Sequence, residues 1–408
     1  MRRLSSLKTQ SRRYRLQGGA TMAAPIVTKI EVTEFSYEVQ DITPHEKTRI
    51  PVYQKGRVHN AVGRVLQIFT DSGVTGEYMG GNASELAGVA QCANALLGRN
   101  ALAREAFYND AKQALKQQAR MGMSQVDIAL WDLAGKFHEA PIYQLLGEYR
   151  TKLPAYASTM VGDDQPDGLS SPEAYADFAE QCLDMGYPAY KIHWWRESSL
   201  RRRIKLLEEV AKRVGGKMDL MLDPASSLLT WGDALQVGKA CDEYGYYWLE
   251  DPYRDGGVSA FGHKKLRELI KTPLLQTEHI RGLEQHVDFV IAGGTDFLRI
   301  DPDYDGGITG VMKIAHAAEG FGLDAEPHSP GPSRRHVMAA VRNCNYYEMG
   351  LIHPRVKRSA PPVFLDYEDE IDTIDSEGCV EPPTGHGLGV TLDWEFIKAN
   401  KLGSKIYE

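Results

Sequence analysis

Met218-Asp219-Leu220-Met221-Leu222-Asp223 is a short apolar run that ends in an acid. Two similar runs follow it, Tyr246-Tyr247-Trp248-Leu249-Glu250 and Pro273-Leu274-Leu275-Gln276-Thr277-Glu278. The closing acids lie 27 and 28 positions apart, close to the roughly 30 residues of a right-handed βαβ unit. The spacing predicts that the three carboxylates lie at the C-terminal ends of successive parallel strands.

These three acids are candidate metal ligands. In a barrel of parallel strands, catalytic groups converge at the C-terminal face. Three carboxylates at one rim repel one another unless a cation binds between them, and oxygen ligands favour a hard ion. We therefore expect Asp223, Glu250 and Glu278 to bind one Mg²⁺. A single strand-end acid is often solvated or caps the next helix, but three at nearly equal spacing make that alternative weaker.

The composition is that of a globular protein with more than one domain. The chain has 408 residues, of which 42% are hydrophobic and 25% charged, and its net charge is −8. This charge argues against nonspecific nucleic-acid binding. No run is long and apolar enough to predict a membrane span. Five scattered cysteines without metal-like or disulfide-like spacing favour a reducing, cytoplasmic environment.

Residues 1–22 differ from the rest of the chain. Six arginine and lysine side chains in this stretch have no opposing acid, and Met22 precedes the first strand-like pattern. An Arg- and Ser-rich stretch of this kind resembles an organellar transit peptide. We favour a disordered or over-extended N-terminal tail.

The remaining chain divides by its pattern of elements. Residues 23–150 combine alternating strands with helical periodicity, as in Ser124–Lys136, and predict a small α+β domain. Residues 151–370 alternate strands with helices such as Pro172–Met185 and Leu200–Val214. Eight strands in one series favour a barrel over an open sheet, and residues 371–408 are expected to return to the first domain. The predicted strands are Leu153–Ser158, Ala189–His193, Leu220–Asp223, Tyr247–Glu250, Leu274–Glu278, Phe297–Asp301, Leu323–His328 and Tyr346–Met349.

Other strand ends carry groups suited to acid–base chemistry. Lys191 and His193 are two positions apart, so they point to the same face of the second barrel strand. Asp301 and His328 end the sixth and seventh strands, and Glu348 lies in the eighth. Each has a structural alternative: Lys191 can be an ion-pair partner and Glu348 a buried paired acid. Five such residues on the face predicted to hold a metal favour catalysis.

Several motifs resemble the enolase superfamily, and within it the mandelate racemase subgroup. The helix Val126–Asp132 and the segment Pro141–Gly147 are similar to the signature of its capping domain. The segment Asp301–Gly310 is similar to the sixth-strand motif, and Gly385–Val390 to the C-terminal return segment. The resemblance extends over nearly all of Pro25–Lys401. It implies an α+β capping domain on a modified (β/α)₇β barrel, an essential Mg²⁺, carboxylate substrates and a homo-oligomer.

One position departs from the racemases of this subgroup, which have Lys-x-Lys on the second strand. Here the second lysine is replaced by His193. Some sugar-acid dehydratases of the subgroup vary at this position. We therefore predict dehydration of an aldonate-type acid sugar to a 2-keto-3-deoxy acid through an enediolate. The alternatives are a racemase, epimerase or cycloisomerase that uses the same enediolate, and a non-catalytic carboxylate-binding protein.

The resemblance also implies a role for each rim residue. His328, oriented by Asp301, would serve one face of the substrate, and Lys191 or His193 the other. Lys191 would add positive charge, and Glu348, if protonated, could donate a hydrogen bond to an enolate oxygen.

Substrate contacts are expected from a polar stretch, Asp41–His59, that predicts a loop of the first domain. It could equally be a solvated surface. Its candidate residues are His45, Arg49, Tyr53, Arg57 and His59. His279, Arg299 and Trp194-Trp195 are further candidates at the rim.

Overall fold

The capping part of the chain is built on an antiparallel sheet. The computed structural model describes residues 13–15, 21–46, 50–357 and 361–408. The strands of this part are β1 (Arg13–Arg15), β2 (Thr21–Ala23), β3 (Val27–Pro44), β4 (Pro51–Thr70) and β5 (Thr75–Met79). β1 pairs only with β2, whereas β3, β4 and β5 form a meander that the last strand of the chain, β15 (Lys401–Tyr407), completes at the β3 edge.

The loop predicted over Asp41–His59 is wrong, because β3 and β4 continue through it as a hairpin arm. Their pairing runs past a bulge at Asp41 to Pro44 opposite Pro51. Asp41 has a φ of 60°, and its carboxylate accepts a 2.6 Å hydrogen bond from the amide of Gly56. The arm buries Val39 and Ile42 against Met160 of the barrel, so its polar composition belongs largely to its outer side.

The helices of the capping part include one that is buried along nearly its whole length. They are α1 (Ala83–Leu86), α2 (Val89–Leu96), α3 (Arg104–Ala114), a 3₁₀ turn (Lys116–Gln118), α4 (Met123–His138) and α5 (Ile142–Leu146). α4 is sandwiched between the capping sheet and the barrel. Gly76 of β5 permits this contact, because a Cβ there would lie 2.1 Å from the carbonyl oxygen of Ala129.

The catalytic part is a parallel barrel whose strands follow one another in sequence order. The strands are β6 (Leu153–Thr159), β7 (Ala189–Ile192), β8 (Asp219–Leu222), β9 (Trp248–Glu250), β10 (Leu274–Gln276), β11 (Phe297–Ile300), β12 (Asp324–Pro327) and β13 (Tyr347–Ile352). The helices between them are α6 (Pro172–Met185), α7 (Leu200–Val214), α8 (Trp231–Tyr244), α9 (Ala260–Arg267), α10 (Gly282–Ile291), α11 (Gly307–Gly320) and α12 (Pro332–Ala340). This order confirms the predicted (β/α)₇β barrel with a capping domain. The chain then adds β14 (Cys379–Val380), which pairs with β6, and α13 (Trp394–Ala399).

The barrel is closed by two kinds of contact. β13 pairs in parallel with β6. At the seam between β12 and β13, the buried carboxylate of Glu326 accepts hydrogen bonds of 3.1 and 3.2 Å from the amides of Asn345 and Tyr346. This side-chain acceptor adds to a main-chain hydrogen bond at the same seam, from the amide of Ala325 to the carbonyl oxygen of Asn343 at 2.8 Å.

The inside of the barrel has an apolar layer below a charged one. Tyr156, Ala189, Met221, Trp248 and Leu275 form one buried cluster, against which Phe297 and Tyr346 pack. Side chains two positions apart on a strand share a face, so the next inward position carries a polar group on most strands. These groups are Lys191 after Ala189, Asp223 after Met221, Glu250 after Trp248, Arg299 after Phe297 and Glu348 after Tyr346.

Two expectations about the chain as a whole can be compared with the structure. In the described ranges, no helix is long and apolar enough to cross a membrane. All five cysteines are buried free thiols. The tail predicted for residues 1–22 lies mostly outside the described residues.

Candidate active site

The three predicted metal ligands meet at the C-terminal rim of the barrel. Asp223 follows β8, Glu250 is the last residue of β9, and Glu278 follows β10. One carboxylate oxygen of each lies within 4.8 Å of the others, and Asp223 and Glu250 are buried. Burial raises the pKa of Glu250 to about 7 even though Arg299 and Lys191 oppose it. Three carboxyl groups at this distance, all with oxygen donors, fit a hard divalent cation such as Mg²⁺.

Two basic side chains from the end of β7 contact the same cluster. The Nζ atom of Lys191 lies 2.9 Å from Glu250 Oε2 and 3.6 Å from Asp223 Oδ2. Nε2 of His193 lies 2.9 Å from Asp223 Oδ2. Its Nδ1 donates a 2.8 Å hydrogen bond to the carbonyl oxygen of Thr159, which fixes the ring with Nε2 toward the cluster.

Arg299 is a further member of the site. The sequence predicted it as a candidate at the rim but gave it no chemical role. The side chain is fully buried inside the barrel. Its Nε lies 2.8 Å from Glu250 Oε1, and its Nη2 lies 2.7 Å from Glu348 Oε2. Nη2 also donates to the hydroxyl of Tyr156 at 2.8 Å. The signal available in the sequence was its position two residues before Asp301, which places both side chains on one face of β11.

Glu348 is surrounded by hydrogen-bond donors. Its carboxylate accepts from Ser158 Oγ, Lys191 Nζ, Arg299 Nη2 and the amide of Ser329, at distances of 2.7–2.9 Å. Burial alone would raise the pKa of Glu348, but Lys191, Arg299 and His328 hold it well below the usual value. This environment favours the ionised form, which has no proton to donate, and so argues against the donor role suggested for a protonated Glu348.

His328 and Asp301 form a hydrogen-bonded pair on the other side of the cluster. Nδ1 of His328 lies 2.7 Å from Asp301 Oδ2, and Nε2 lies 3.4 Å from Glu278 Oε1. The ring of Tyr304 stacks on the imidazole with a centroid distance of 6.3 Å. Burial lowers the pKa of His328, but Glu278 and Asp301 outweigh it and raise the pKa to about 9.

A third histidine of the site, His279, follows Glu278 in the chain and lies beside the same carboxylate. Its Nε2 lies 3.1 Å from Asp251 Oδ2 and 3.9 Å from Glu278 Oε1. Asp251 is buried, whereas the His279 side chain is 41% exposed. Burial lowers the pKa of His279, but Asp251 and Glu278 raise it to about 9. Its exposed position beside the acids is compatible with the predicted contact to substrate, which stays a prediction.

Three of the other predicted substrate contacts line a separate cleft of about 310 Å³ between the hairpin arm and the barrel. They are His45, Tyr53 and Trp195. Tyr53 is buried and stacks on His353 with a centroid distance of 4.2 Å, so it anchors the arm. Nε1 of Trp195 donates to the carbonyl oxygen of Leu169 at 2.8 Å.

The other predicted substrate contacts on the arm are His59, Arg57 and Arg49. Nδ1 of His59 donates a 2.8 Å hydrogen bond to the carbonyl oxygen of Ile42 within the arm. Arg57 is exposed. Arg49 lies outside the described residues. A role of these side chains in binding substrate remains a prediction.

Comparison with known families agrees with this architecture. Residues 174–396 match the family model described as enolase C-terminal domain-like. Residues 37–147 match the mandelate racemase/muconate lactonizing enzyme N-terminal domain. The chain belongs to the mandelate racemase subgroup of the enolase superfamily. The capping domain and the barrel of this superfamily member are thus both identified from its sequence.

The relatives of this superfamily member include several dehydratases. D-gluconate dehydratase of Thermoproteus tenax is 26% identical over 331 residues, which cover 76% of this chain and 63% of that protein. D-xylonate dehydratase of Haloferax volcanii is 24% identical, with 83% and 85% of the two chains covered. The crystal structure of D-glucarate dehydratase from Agrobacterium tumefaciens complexed with magnesium has a TM-score of 0.85 and 29% identity, and the match covers 93% of this chain and 99% of that one.

Proposed function

We propose that this protein is a Mg²⁺-dependent sugar-acid dehydratase. The reaction removes the proton α to the carboxylate and expels the β-hydroxyl as water, and the resulting enol tautomerises to a 2-keto-3-deoxy acid. The observation that carries the proposal is the approach of His328 and of Lys191 with His193, from strands on different sides, to one cluster of three acids. The dehydratase relatives support the same reaction class.

The metal would be held by Asp223, Glu250 and Glu278. When bound, Mg²⁺ would act as a Lewis acid that stabilises the negative charge of the enediolate. Lys191 and Arg299 add two positive charges, each in contact with Glu250 and Glu348. Burial would lower the pKa of Lys191, but Glu250 and Glu348 outweigh this and raise it well above the usual value. Lys191 is therefore better suited to stabilise charge than to accept a proton.

Proton transfer is assigned to His193 and His328. Asp301 accepts the hydrogen bond of His328 Nδ1, so the reactive Nε2 points toward Glu278 and the substrate carboxylate expected there. One histidine takes the α-proton as the base, and a protonated group gives a proton to the leaving hydroxyl. With Lys191 kept charged, His193 is the candidate for the face opposite His328.

An epimerase, racemase or cycloisomerase remains the second candidate. The observation that favours it is the presence of two histidines, His193 and His328, that reach the cluster from opposite sides. Such an arrangement allows a proton to be removed on one face and returned on the other. The two candidates differ in whether a β-hydroxyl is lost.

The test is to incubate the Mg²⁺-loaded protein in D₂O with a library of aldonates and aldarates. Dehydration is expected to give a 2-keto acid, detected with semicarbazide, from at least one of them. Deuterium at the α-carbon without a 2-keto acid would support the epimerase, racemase or cycloisomerase instead. Binding of an acid sugar without exchange or product would contradict both and favour a carboxylate-binding protein. Full activity after chelation of all metal would contradict the assigned role of Mg²⁺.

A further inference from the structure

A buried arginine lies behind the His328–Asp301 pair, on the side away from the three acids. Arg334 is in the first turn of α12, and its side chain is 5% exposed. Its Nη2 donates a 2.6 Å hydrogen bond to Asp301 Oδ1. Its Nε donates a 3.2 Å hydrogen bond to the main-chain carbonyl of His328. One guanidinium group therefore contacts both members of the pair.

The same guanidinium also connects the pair to the capping domain. Its Nη2 contacts Asp303 Oδ2 at 2.6 Å, and its Nη1 donates to the hydroxyl of Tyr78 at 3.2 Å. That hydroxyl in turn donates to Asp303 Oδ1 at 2.6 Å. Because Tyr78 belongs to β5, a continuous chain of hydrogen bonds runs from the capping sheet to His328.

These contacts determine which oxygen of Asp301 faces the histidine. Oδ1 is occupied by Arg334 and by the amide of Asp303 at 2.7 Å, which leaves Oδ2 for His328 Nδ1. The guanidinium is planar, and its donors have fixed relative positions. Without it, the buried Asp301 carboxylate and its neighbour Asp303 would lose the guanidinium that both contact, and His328 would remain as the basic partner of Asp301.

We propose that Arg334 is a positioning residue that fixes the geometry of the His328–Asp301 pair, and that Tyr78 makes this geometry depend on the docked capping domain. The catalytic consequence rests on the proposed function, because it requires that His328 transfers a proton. The geometric consequence does not require any substrate.

The chain provides a matched control in the adjacent residue. Arg335 is also buried in the first half of α12 and also pairs with an acid, Asp369. It also donates to the carbonyl oxygens of Glu368 and Glu381, and its guanidinium lies over the rings of Tyr347 and Tyr367. Replacing Arg335 therefore removes a buried ion pair of the same type without touching His328 or Asp301.

The first experiment measures the pair directly in the protein without substrate. The low-field proton NMR signal of His328 Nδ1–H, recorded with ¹⁵N-labelled histidine, is assigned by its loss in His328→Asn. We expect Arg334→Met to remove or shift this signal and Arg335→Met to leave it unchanged. An unchanged signal in Arg334→Met would overturn the inference, whatever the enzyme's activity.

The second experiment measures turnover of the acid sugar identified in the library. Misplacement of a catalytic group by about 1 Å costs about 10²-fold in rate, so kcat of Arg334→Met should fall by about that factor while KM changes little. Arg334→Lys keeps the charge without the planar fork and should recover only part of the loss. Should Arg334→Met not fold, Arg334→Lys takes its place in both experiments.

The outcomes separate the two proposals. If the wild type converts a substrate and Arg334→Met has the kcat of Arg335→Met, the positioning role is wrong and the proposed function stands. If the wild type converts no acid sugar, the proposed function fails, and the NMR comparison still decides the contact. Tyr78→Phe should lower kcat by less than about 10-fold, since it removes the two hydrogen bonds of the Tyr78 hydroxyl but leaves Arg334 in contact with Asp301 and His328. A Tyr78→Phe protein with unchanged kcat and NMR signal would contradict the coupling to the capping domain.

Discussion

Two groups of buried acids in this protein, at the barrel rim and on helix α4, have different sets of partners. Asp223 and Glu250 at the rim face other acids and the basic side chains Lys191, His193 and Arg299. Carboxylates at the rim are therefore held close together. Their repulsion destabilises the folded protein unless a cation binds, as expected of a site for metal and substrate.

The acids of α4 accept hydrogen bonds from main-chain amides, and Asp132 also pairs with Lys136 of its own helix at 2.7 Å. Asp127 Oδ1 accepts a 3.0 Å hydrogen bond from the amide of Thr309 in the first turn of α11. Asp132 accepts from the amides of Leu388 and Glu77 at 2.9 and 2.8 Å. These acids thereby attach α4 to α11, to the C-terminal segment and to β5.

A family motif that contains buried acids is therefore not by itself evidence of a catalytic role in this chain. The helix Val126–Asp132 resembles a signature of the family. Asp127 nevertheless caps α11, and Asp132 binds amides of the C-terminal segment and of β5, rather than facing substrate. The N-cap residue of α11 is Gly306, which provides no side-chain cap. A Cβ at Gly307 would lie 2.2 Å from Asp127 Oδ1, so the glycine is needed for this approach. We expect substitutions in the two regions to affect different properties.

The largest effect is expected from Asp223→Asn, which removes a negative ligand from the rim. We expect turnover to be abolished at Mg²⁺ concentrations that saturate the wild type. Ligand binding at 100 times Kd stabilises a folded protein by about 2.7 kcal/mol, so wild-type protein should show a Mg²⁺-dependent rise in Tm that the variant lacks. Thermal unfolding with and without Mg²⁺ checks this, and an equal rise in both proteins would contradict the assigned ligand.

His328→Asn should come next. The variant keeps much of the side-chain shape but loses the proton-transfer group, so kcat should fall by roughly 10²–10⁴. Mg²⁺ binding should be retained. Solvent-deuterium exchange at the α-carbon distinguishes the roles: continued exchange without elimination identifies His328 as the acid, and loss of both favours the base. Unchanged exchange and elimination would show that the pair is wrongly assigned.

Asp132→Ala should affect stability rather than chemistry. It leaves the amides of Leu388 and Glu77 without their acceptor, and each buried unpaired group costs about 1–3 kcal/mol. The free energy of unfolding should therefore fall by roughly 2–6 kcal/mol. The kcat of the folded protein should stay near the wild-type value. Urea unfolding and kcat measured on the same preparation check this, and a loss of kcat at full stability would move Asp132 into the catalytic group.

The smallest effect is a pH dependence from Asp127. Burial raises its pKa to about 7, above the value of about 3.9 in an unfolded chain. The folded state thus retains a proton between these values. Its contribution is complete below about pH 4 and is lost as the pH rises through 7, by at most about 4 kcal/mol. Asp127→Asn has no such titration, so its stability relative to wild type should increase from pH 5 to pH 8. Urea unfolding at both pH values checks this. The same difference in free energy of unfolding between variant and wild type at pH 5 and at pH 8 would contradict the raised pKa.

Much of the architecture follows from the sequence because it depends on local periodicity. The helices Pro172–Met185 and Leu200–Val214 begin and end where the apolar pattern predicts. The near-equal spacing of Asp223, Glu250 and Glu278 reflects one βα unit per interval. The i, i+2 relation of Lys191 and His193 predicts their common face, and both contact Asp223 in the structure.

Other features were decided by tertiary contacts alone. The hairpin arm has no strong strand pattern in its polar half, and it forms because β3 and β4 pair with each other and bury Ile42 and Val39 on the barrel. Arg334 meets Asp301 across 33 positions, and Arg299 meets Glu348 across 49. No local pattern marks these pairs. The ionised state of Glu348 follows from four donors contributed by different parts of the barrel.

The physical reason for this division lies in the range of the interactions. Helix and strand periodicity arise from backbone geometry between neighbours in the sequence, so the order of side chains predicts which face each one occupies. Charge compensation and hydrogen-bond geometry depend on which faces meet after the chain has closed into a barrel. For this protein, the sequence therefore determined which residues reach the rim, and the tertiary structure decided which atoms hold His328, Glu250 and Glu348 in place.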